Sequence, residues 1–206
     1  MNTNKLISDN RGLTLVELMV VLVLSLLLMA AVYLSYQVQH RESNVQHEVS
    51  AIQQDLRAVM DIMERDIRNA GCDPSEPPIG LIGIVSTSGA FPASNETRLG
   101  LRMDLDGDGV VSGSDEIVSY IWHHDTRRLE RNGQNLAENI TNLTLIYTSS
   151  GANLTPASGT QLGADAADVR VIDITLQTRS DERDPETGSY LTRTFTRRVK
   201  GRNLGL

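Results

Sequence analysis

The segment from Leu18 to Tyr36 reads LMVVLVLSLLLMAAVYLSY and contains no charged residue. A helix of this length extends roughly 28 Å, which is close to the hydrocarbon thickness of a bilayer. Lys5 and Arg11 precede the segment, so the positive-inside rule predicts a cytoplasmic N-terminus. We therefore expect one membrane-spanning helix, with residues 37–206 outside the cytoplasm.

Length and charge limit the function classes. The chain has 206 residues, enough for one globular domain with an extension and too few for a large multidomain enzyme. The formal net charge is −7, and residues 1–36 hold as many bases as acids, so the acidic excess lies in residues 37–206. A net-acidic domain argues against nucleic acid as a partner. Cys72 is the only cysteine, which excludes an intrachain disulfide.

Glu17 stands at the start of the apolar segment, where a charge entering the bilayer costs several kcal/mol unless it is paired. A cleaved secretory signal is one alternative, but its apolar region is usually only about 7–15 residues long and ends in a small-x-small site. The sequences at 28–30 and 29–31 lack that pattern. A plain signal anchor fits the length but leaves Glu17 unexplained. We therefore predict a functional role for this carboxylate.

The segment Arg11–Leu18, RGLTLVEL, followed by a long apolar helix, resembles the class III signal of type IV prepilins and pseudopilins. The resemblance implies that the prepilin peptidase, a membrane-embedded aspartyl peptidase, cleaves between Gly12 and Leu13 and methylates the new N-terminus. Residues 1–12 are then a leader. It also implies that Glu17, fifth in the mature chain, pairs with the free amine of a neighbouring subunit. Leu13 departs from the family, which most often has phenylalanine there.

The apolar pattern changes after the membrane segment. Seven apolar residues recur at steps of three and four while charged residues fill the other faces, which predicts an amphipathic helix that continues the membrane helix of residues 13–36 through 37–71. Glycine and the following Asp73-Pro74 predict its end near Ala70-Gly71. The apolar stripe can pack on the strands that follow in the sequence, or, as the alternative, against another helix in a coiled coil. The seven residues are Val45, Val49, Ile52, Leu56, Val59, Met63 and Ile67.

Residues 72–206 read as short strands separated by turn-rich loops, with the clearest alternation in Val169–Leu176. A long helix packed on an antiparallel β-sheet is an α+β arrangement, which is also the fold that the pilin resemblance implies. The predicted strands are Arg98–Met103, Asp115–Trp122, Arg128–Arg131, Ile140–Thr148, Val169–Thr178 and Tyr190–Val199.

A finer resemblance extends past the signal. The helix end Arg65–Gly71, RDIRNAG, resembles that of PilW-type minor pilins, and Ile117–Tyr120, Leu129–Arg131 and Leu136–Ile140 are similar to that group's strands. Minor pseudopilins of type II secretion share much of this plan. The resemblance implies a non-catalytic subunit whose partners are the prepilin peptidase, the major pilin, other minor pilins and the inner-membrane assembly platform.

The most chemically specific segment is Asp104–Asp115, DLDGDGVVSGSD. A twelve-residue calcium loop needs oxygen ligands at positions one, three, five, seven, nine and twelve, and glycine at six. The segment resembles the calcium loops of dockerin-like modules, with aspartate in place of the usual glutamate at position twelve and Glu116 next to it. Calcium is therefore the predicted cofactor, and a flexible acidic turn is the alternative. The candidate ligands are Asp104, Asp106, Asp108, the backbone carbonyl of Val110, Ser112 and Asp115.

Two further groups of residues carry weaker hypotheses. His123-His124-Asp125 lies between two predicted strands, which favours an exposed hairpin turn over a metal or catalytic cluster. The C-terminal tail carries five bases and no acid from residue 193 onward, which indicates either a charge-guarded edge strand or a surface that meets an acidic face of another subunit. These bases are Arg193, Arg197, Arg198, Lys200 and Arg202. The sequence contains no phosphate-binding loop and no cysteine pair, so we do not expect an enzyme.

Together these patterns predict a minor type IV pilin, a structural subunit for pilus assembly or priming. It would be a single-pass protein of the bacterial inner membrane with a periplasmic C-terminal domain, later transferred to the pilus. One alternative is a minor pseudopilin of type II secretion. The alternative from a different class is a membrane-anchored, calcium-stabilised binding module that does not polymerise.

Overall fold

A computed structural model of the protein describes residues 14–86, 93–184 and 187–204. The chain divides into two compact units, Met1–His47 and Glu48–Leu206. The helix α1, Leu15–Asn69, contributes residues to both units. The predicted leader, residues 1–12, lies outside the described residues.

The described part of the first unit is the N-terminal half of α1. Leucine, methionine and alanine, which favour helix, dominate its sequence, and the interspersed valines are tolerated at a modest cost in side-chain entropy. By length and composition this helix is apolar enough to cross a membrane. It starts two residues after the predicted first residue of the mature chain, Leu13.

The second unit contains the rest of α1 and two four-stranded antiparallel sheets, rather than the single sheet that the sequence suggested. In the first sheet the strand order is β1-β2-β3-β4, and in the second it is β6-β5-β7-β8. A four-residue helix and a short 3-10 helix, Gly163–Asp168, complete the unit. The elements are β1 Arg98–Arg102, α2 Gly113–Glu116, β2 Ile117–His123, β3 Arg128–Arg131, β4 Gln134–Ala137, β5 Ile140–Ser149, β6 Ala152–Asn153, β7 Val171–Arg183 and β8 Tyr190–Lys200.

Apolar residues at every second position determine which face of the longest strands is buried. In β7, Ile172, Ile174 and Leu176 are buried, while the residues between them turn their side chains away from the core. The register places Leu176 opposite Leu143 of β5 and Phe195 of β8, so apolar residues of three strands share one face. A one-residue shift would expose all of them.

The two sheets and the C-terminal part of α1 share one hydrophobic core, which confirms the α+β prediction. The helix contributes five buried apolar residues, of which four belong to the predicted stripe and the fifth, Met60, follows Val59 by one position. The strands contribute the side chains that complete the core, including the fully buried Tyr120 and Tyr147. The five helix residues are Leu56, Val59, Met60, Met63 and Ile67.

The structure differs from the expected boundaries at several element ends, most of them by one or two residues. The largest difference is in β7, which begins at Val171 and continues to Arg183 rather than spanning Val169–Thr178. The helix ends at Asn69, and Gly71 follows with φ +75°, where a Cβ would lie 2.9 Å from the carbonyl oxygen of Asn203. Only glycine fits this close approach without a shift of the backbone. Asp115 and Glu116 were expected in a strand but belong to α2, because the chain makes one helical turn before β2 begins.

Candidate functional site

The first candidate site is the start of α1, where Thr14 and Glu17 cap the helix reciprocally. The Thr14 hydroxyl accepts a hydrogen bond from the Glu17 backbone N–H at 3.2 Å. The Glu17 carboxylate accepts hydrogen bonds from the Thr14 backbone N–H at 2.8 Å and from its hydroxyl at 3.0 Å. This is a capping box, which satisfies backbone donors that the helix itself cannot use. Gly12 and Leu13, the predicted cleavage and methylation residues, lie outside the described residues.

The helix surface from Leu18 to Val38 is apolar and exposed within the described part of the chain. Every large apolar side chain from Leu15 to Val38 is at least half exposed. An apolar surface this extensive on all sides of a helix needs lipid or other apolar helices around it. The helix is consistent with single-pass membrane anchoring.

The second candidate site is the acidic loop, residues 104–115, between β1 and α2. Asp104 is fully buried, and its carboxylate accepts hydrogen bonds from the backbone N–H groups of Gly107 at 2.7 Å and Gly109 at 3.0 Å. Both glycines have positive φ, +78° and +77°, which lets the loop wrap around this carboxylate. Carboxylate oxygens of Asp104, Asp106 and Asp108 lie within 4.8 Å of one another. The structure thus brings three of the predicted ligands together.

The other predicted ligands are placed differently. The Val110 N–H donates to Asp108 at 2.7 Å, and the Ser112 N–H donates to Glu116 Oε2 at 2.9 Å. Asp115 is exposed on α2 and is not a member of the carboxylate group that the described residues form. Glu116 is buried instead and also accepts a hydrogen bond from Leu105 N–H at 2.8 Å.

Glu116, rather than Asp115, is therefore the carboxylate that closes the loop. Hydrogen bonds from the backbone N–H groups of Ser112 and Leu105 hold the pKa of Glu116 below its usual range. The α2 turn directs Glu116, at position thirteen, into the loop and Asp115, at position twelve, towards solvent. The spacing of the acidic residues alone did not predict this exchange. The sequence offered one indication, because glutamate is the usual closing residue of such loops.

A buried polar network that the sequence analysis did not single out connects α1 to the first sheet. Asp66 on α1 accepts hydrogen bonds from the Tyr120 hydroxyl at 2.5 Å and from Arg131 Nε at 2.8 Å. Burial, and then the hydrogen bond to the Asp66 carboxylate, raise the pKa of Tyr120, so its hydroxyl remains a donor. Asp66 and Arg131 both lie in segments whose resemblance to minor pilins was noted above.

The positive charge of the basic C-terminal tail, which includes β8, is partly neutralised within the chain. β8 is an edge strand, as the interpretation of a charge-guarded edge requires. Arg197 reaches α1 and pairs with Asp61 at 2.5 Å and Glu64 at 2.8 Å, whereas Arg198 pairs with Asp173 through two contacts of 2.7 and 2.8 Å. The remaining three bases, Arg193, Lys200 and Arg202, are exposed.

The histidine cluster lies at the hairpin that joins β2 to β3. His123 ends β2 and contacts Glu130 of β3 at 3.1 Å, while His124 and Asp125 are exposed in the turn between these strands. The hairpin interpretation is therefore confirmed.

Comparison with known families decides the class of the protein. The profile described as prokaryotic N-terminal methylation motif matches residues 7–33, a range that includes Gly12, Leu13 and Glu17. The profile described as prepilin peptidase-dependent protein B matches residues 45–201, which is most of the chain. The chain belongs to this family. The resemblance to type IV pilin-like proteins is thus confirmed, and the protein is a subunit of the pilin or pseudopilin type. A search of the curated proteins gives no match.

Proposed function

We propose that this prepilin peptidase-dependent protein is a minor type IV pilin that takes part in pilus assembly or priming. The observation that carries the proposal is the joint presence of the methylation motif, a carboxylate at Glu17 and an apolar helix whose side chains are exposed among the described residues. Pilin-type families are structural, and a structural role accounts for all three features without catalysis. The finer similarity to PilW-type minor pilins supports the minor role.

In this proposal the prepilin peptidase removes residues 1–12 and methylates Leu13. The cleavage creates a free amine close to Glu17 in the sequence. A carboxylate and an ammonium that leave water together cost less than either charge alone, provided that their hydrogen bonds are satisfied. Glu17 then exchanges its contact with Thr14 for the amine of a neighbouring subunit and sets the register between the two helices.

Assembly in this proposal transfers the apolar helix from lipid to a bundle of similar helices. The helix surface stays in an apolar environment throughout, so the transfer exposes no apolar area to water. The helix would first cross the bacterial inner membrane with its N-terminus in the cytoplasm and the second unit in the periplasm. The partners in this scheme are the peptidase, the inner-membrane assembly platform, the major pilin and other minor pilins.

We also propose that the acidic loop holds calcium through Asp104, Asp106 and Asp108. Carboxylate oxygens that approach within 4.8 Å repel one another unless hydrogen bonds or a cation offset their charge. A calcium ion is a hard cation that takes such oxygens, and it would order the loop permanently at extracellular concentrations. The backbone hydrogen bonds in the loop support the alternative, a self-sufficient acidic turn.

A minor pseudopilin of type II secretion shares the same signal and helix. Deletion of the gene separates the two machines, because loss of surface pili supports the pilus and loss of protein secretion supports the secretion system. If the protein is instead a calcium-stabilised membrane anchor that does not polymerise, neither surface pili nor protein secretion should be lost.

The direct test of assembly replaces Glu17 with alanine and, separately, with glutamine in the full-length protein. We expect both variants to be processed and to remain in the membrane, but to be absent from sheared surface fibres. Ser25→Ala in the same apolar helix is the matched control and should assemble normally, because the Ser25 hydroxyl donates to the Leu22 carbonyl of its own helix. Assembly of the Glu17 variants at the wild-type level would contradict the proposal.

A further inference from the structure

A groove opens on the second unit beside α1, and we call it the α1 groove. It lies between the helix residues 48–62, residues 135–140, which run from β4 to the first residue of β5, and residues 178–181 of β7. Its volume is about 490 Å³. That space accommodates several side chains of a partner, and all of its walls belong to the second unit.

The floor of the α1 groove is apolar. Ile52 and Ile62 of α1 and Leu136 of β4 are only partly buried and pack against the core from the groove side. Part of the apolar surface of these side chains is in contact with water, and a bound partner would cover it. The floor therefore suits the aliphatic part of a contacting side chain.

The rim of the groove carries acids that no cation neutralises within the described part of the chain. Glu48, Asp55 and Asp181 line it, and none of these three has a cationic partner among the described residues. Glu138 also lines the groove but contacts Arg128 at 3.2 Å. Unmatched carboxylates around an apolar floor favour a partner with positive charge.

The opposite situation holds farther along the same helix. Asp61 pairs with Arg197, Glu64 with both Arg68 and Arg197, and Asp66 with Arg131. The chain thus supplies arginines to the acids of α1 that face its own strands and tail. Glu48 and Asp55, which face the groove, receive none within the described part of the chain.

One cation lines the groove and is already engaged. The Arg179 guanidinium lies over the Tyr190 ring, 3.9 Å from its centroid. The contact holds the positive charge against an aromatic face rather than against the rim acids. The charge of the groove is therefore negative even when Arg179 is counted.

We propose that the α1 groove receives a segment of a neighbouring pilin-type subunit that carries lysine or arginine beside apolar residues. Long basic side chains have an apolar stem and a charged end, so the stem covers the floor while the end reaches the rim. This inference rests on the proposed function and adds the chemistry by which the second unit chooses its neighbour. The occupant is a different pilin-type subunit rather than a second copy, because the exposed bases of this chain's own tail, Arg193, Lys200 and Arg202, are flanked in sequence by polar residues, glycine or the buried Val199.

The test is photo-crosslinking in cells that make the full-length protein. A photoreactive phenylalanine derivative replaces Ala58, which is exposed and lines the groove. After illumination, mass spectrometry identifies the cross-linked peptide. We expect a peptide with lysine or arginine from another chain that has a prepilin-type N-terminus.

Charge variants make the test quantitative. Exposed ion pairs contribute about two- to threefold each, so Glu48→Gln, Asp55→Asn and Asp181→Asn together should lower the cross-link yield about tenfold. The control variant Asp125→Asn, Asp165→Asn, Asp168→Asn removes the same charge from exposed positions outside the groove and should leave the yield unchanged.

The other outcomes overturn the inference. A cross-link to a second copy would assign the groove to self-association, and a cross-link to lipid or to an unrelated protein would assign it to another role. An equal loss of yield in both charge variants would mean that net charge, not the groove, matters. Leader processing and fibre incorporation are measured in the same strains, so failure of the groove is distinguishable from failure of the proposed function.

Discussion

Replacing Asp66 with alanine tests the network that connects α1 to the first sheet. The substitution leaves the Tyr120 hydroxyl, which is fully buried, without its acceptor, and it removes the partner of Arg131. An unsatisfied buried polar group costs about 1–3 kcal/mol. Arg131 has a side chain that is 32% exposed, so water replaces much of its lost contact, and its contribution stays below about 1 kcal/mol.

Together these terms predict a loss of about 3 kcal/mol in the free energy of unfolding. For a unit of this size, that loss lowers the midpoint of thermal unfolding by about 6–12 °C. The assay is thermal and urea unfolding of the fragment 37–206, which lacks the apolar segment, followed by circular dichroism. Tyr120→Phe alone should cost about 1 kcal/mol, and the double variant should cost less than the sum of the two single variants.

Asp61→Ala provides the matched control on the same helix. Its carboxylate is 64% exposed, and Arg197 keeps its second partner Glu64 when Asp61 is removed. The expected loss is therefore below about 1 kcal/mol. Equal losses for Asp66→Ala and Asp61→Ala, or strict additivity with Tyr120→Phe, would refute the account of a coupled buried network.

Three other results are expected. The folded state holds the pKa of Glu116 below its unfolded value of 4.5, so the stabilisation by this carboxylate is fully present above that pH and is lost as pH falls through the folded pKa. Wild type and Glu116→Gln should therefore differ in their free energies of unfolding in urea at pH 7 and converge in strong acid. A difference that stays constant with pH would contradict this. Isothermal titration of fragment 37–206 should give a calcium Kd of about 10⁻⁴–10⁻³ M that Asp104→Ala and Asp108→Ala abolish; no heat at millimolar calcium would overturn the site. The full-length Glu17→Ala variant should be cleaved as the wild type is but be missing from sheared fibres, and its presence there would argue against a pairing role.

Much of the fold follows from local sequence patterns. The periodicity of apolar residues predicted α1 and six of the eight strands, because burial on one face repeats at 3.6 residues in a helix and at two in a strand. The strand β4 was missed because Gln134–Ala137 has only four residues, of which two are polar, so no alternation is visible. The turn Asn132-Gly133 indicates it, since both residues have positive φ, +52° and +74°, as in a two-residue hairpin connection.

The division into two sheets could not be predicted in the same way. Strand pairing joins distant parts of the chain, as β7 shows by pairing with β5 and β8. The alternation of apolar residues states which face of a strand is buried but not which strand lies next to it. Pairing depends on the three-dimensional arrangement of the whole unit.

Sites formed within one loop could be predicted from the sequence, whereas contacts between distant segments could not. Asp104, Asp106 and Asp108 were predicted together because the spacing within one loop determines their approach. The exchange of Asp115 for Glu116 depends on the α2 turn, and the partners of Asp66 lie 54 and 65 residues away. A carboxylate on the buried face of an amphipathic helix, three residues after Met63, is nevertheless a sequence signal for a buried pair.

The central claim is that the chain enters the prepilin pathway. The most direct measurement is intact-mass and N-terminal analysis of the protein from membranes of strains with and without the prepilin peptidase. The account predicts a mature chain that begins at Leu13, with one added methyl group, only where the peptidase is present. A chain that still carries residues 1–12 in both strains would contradict it.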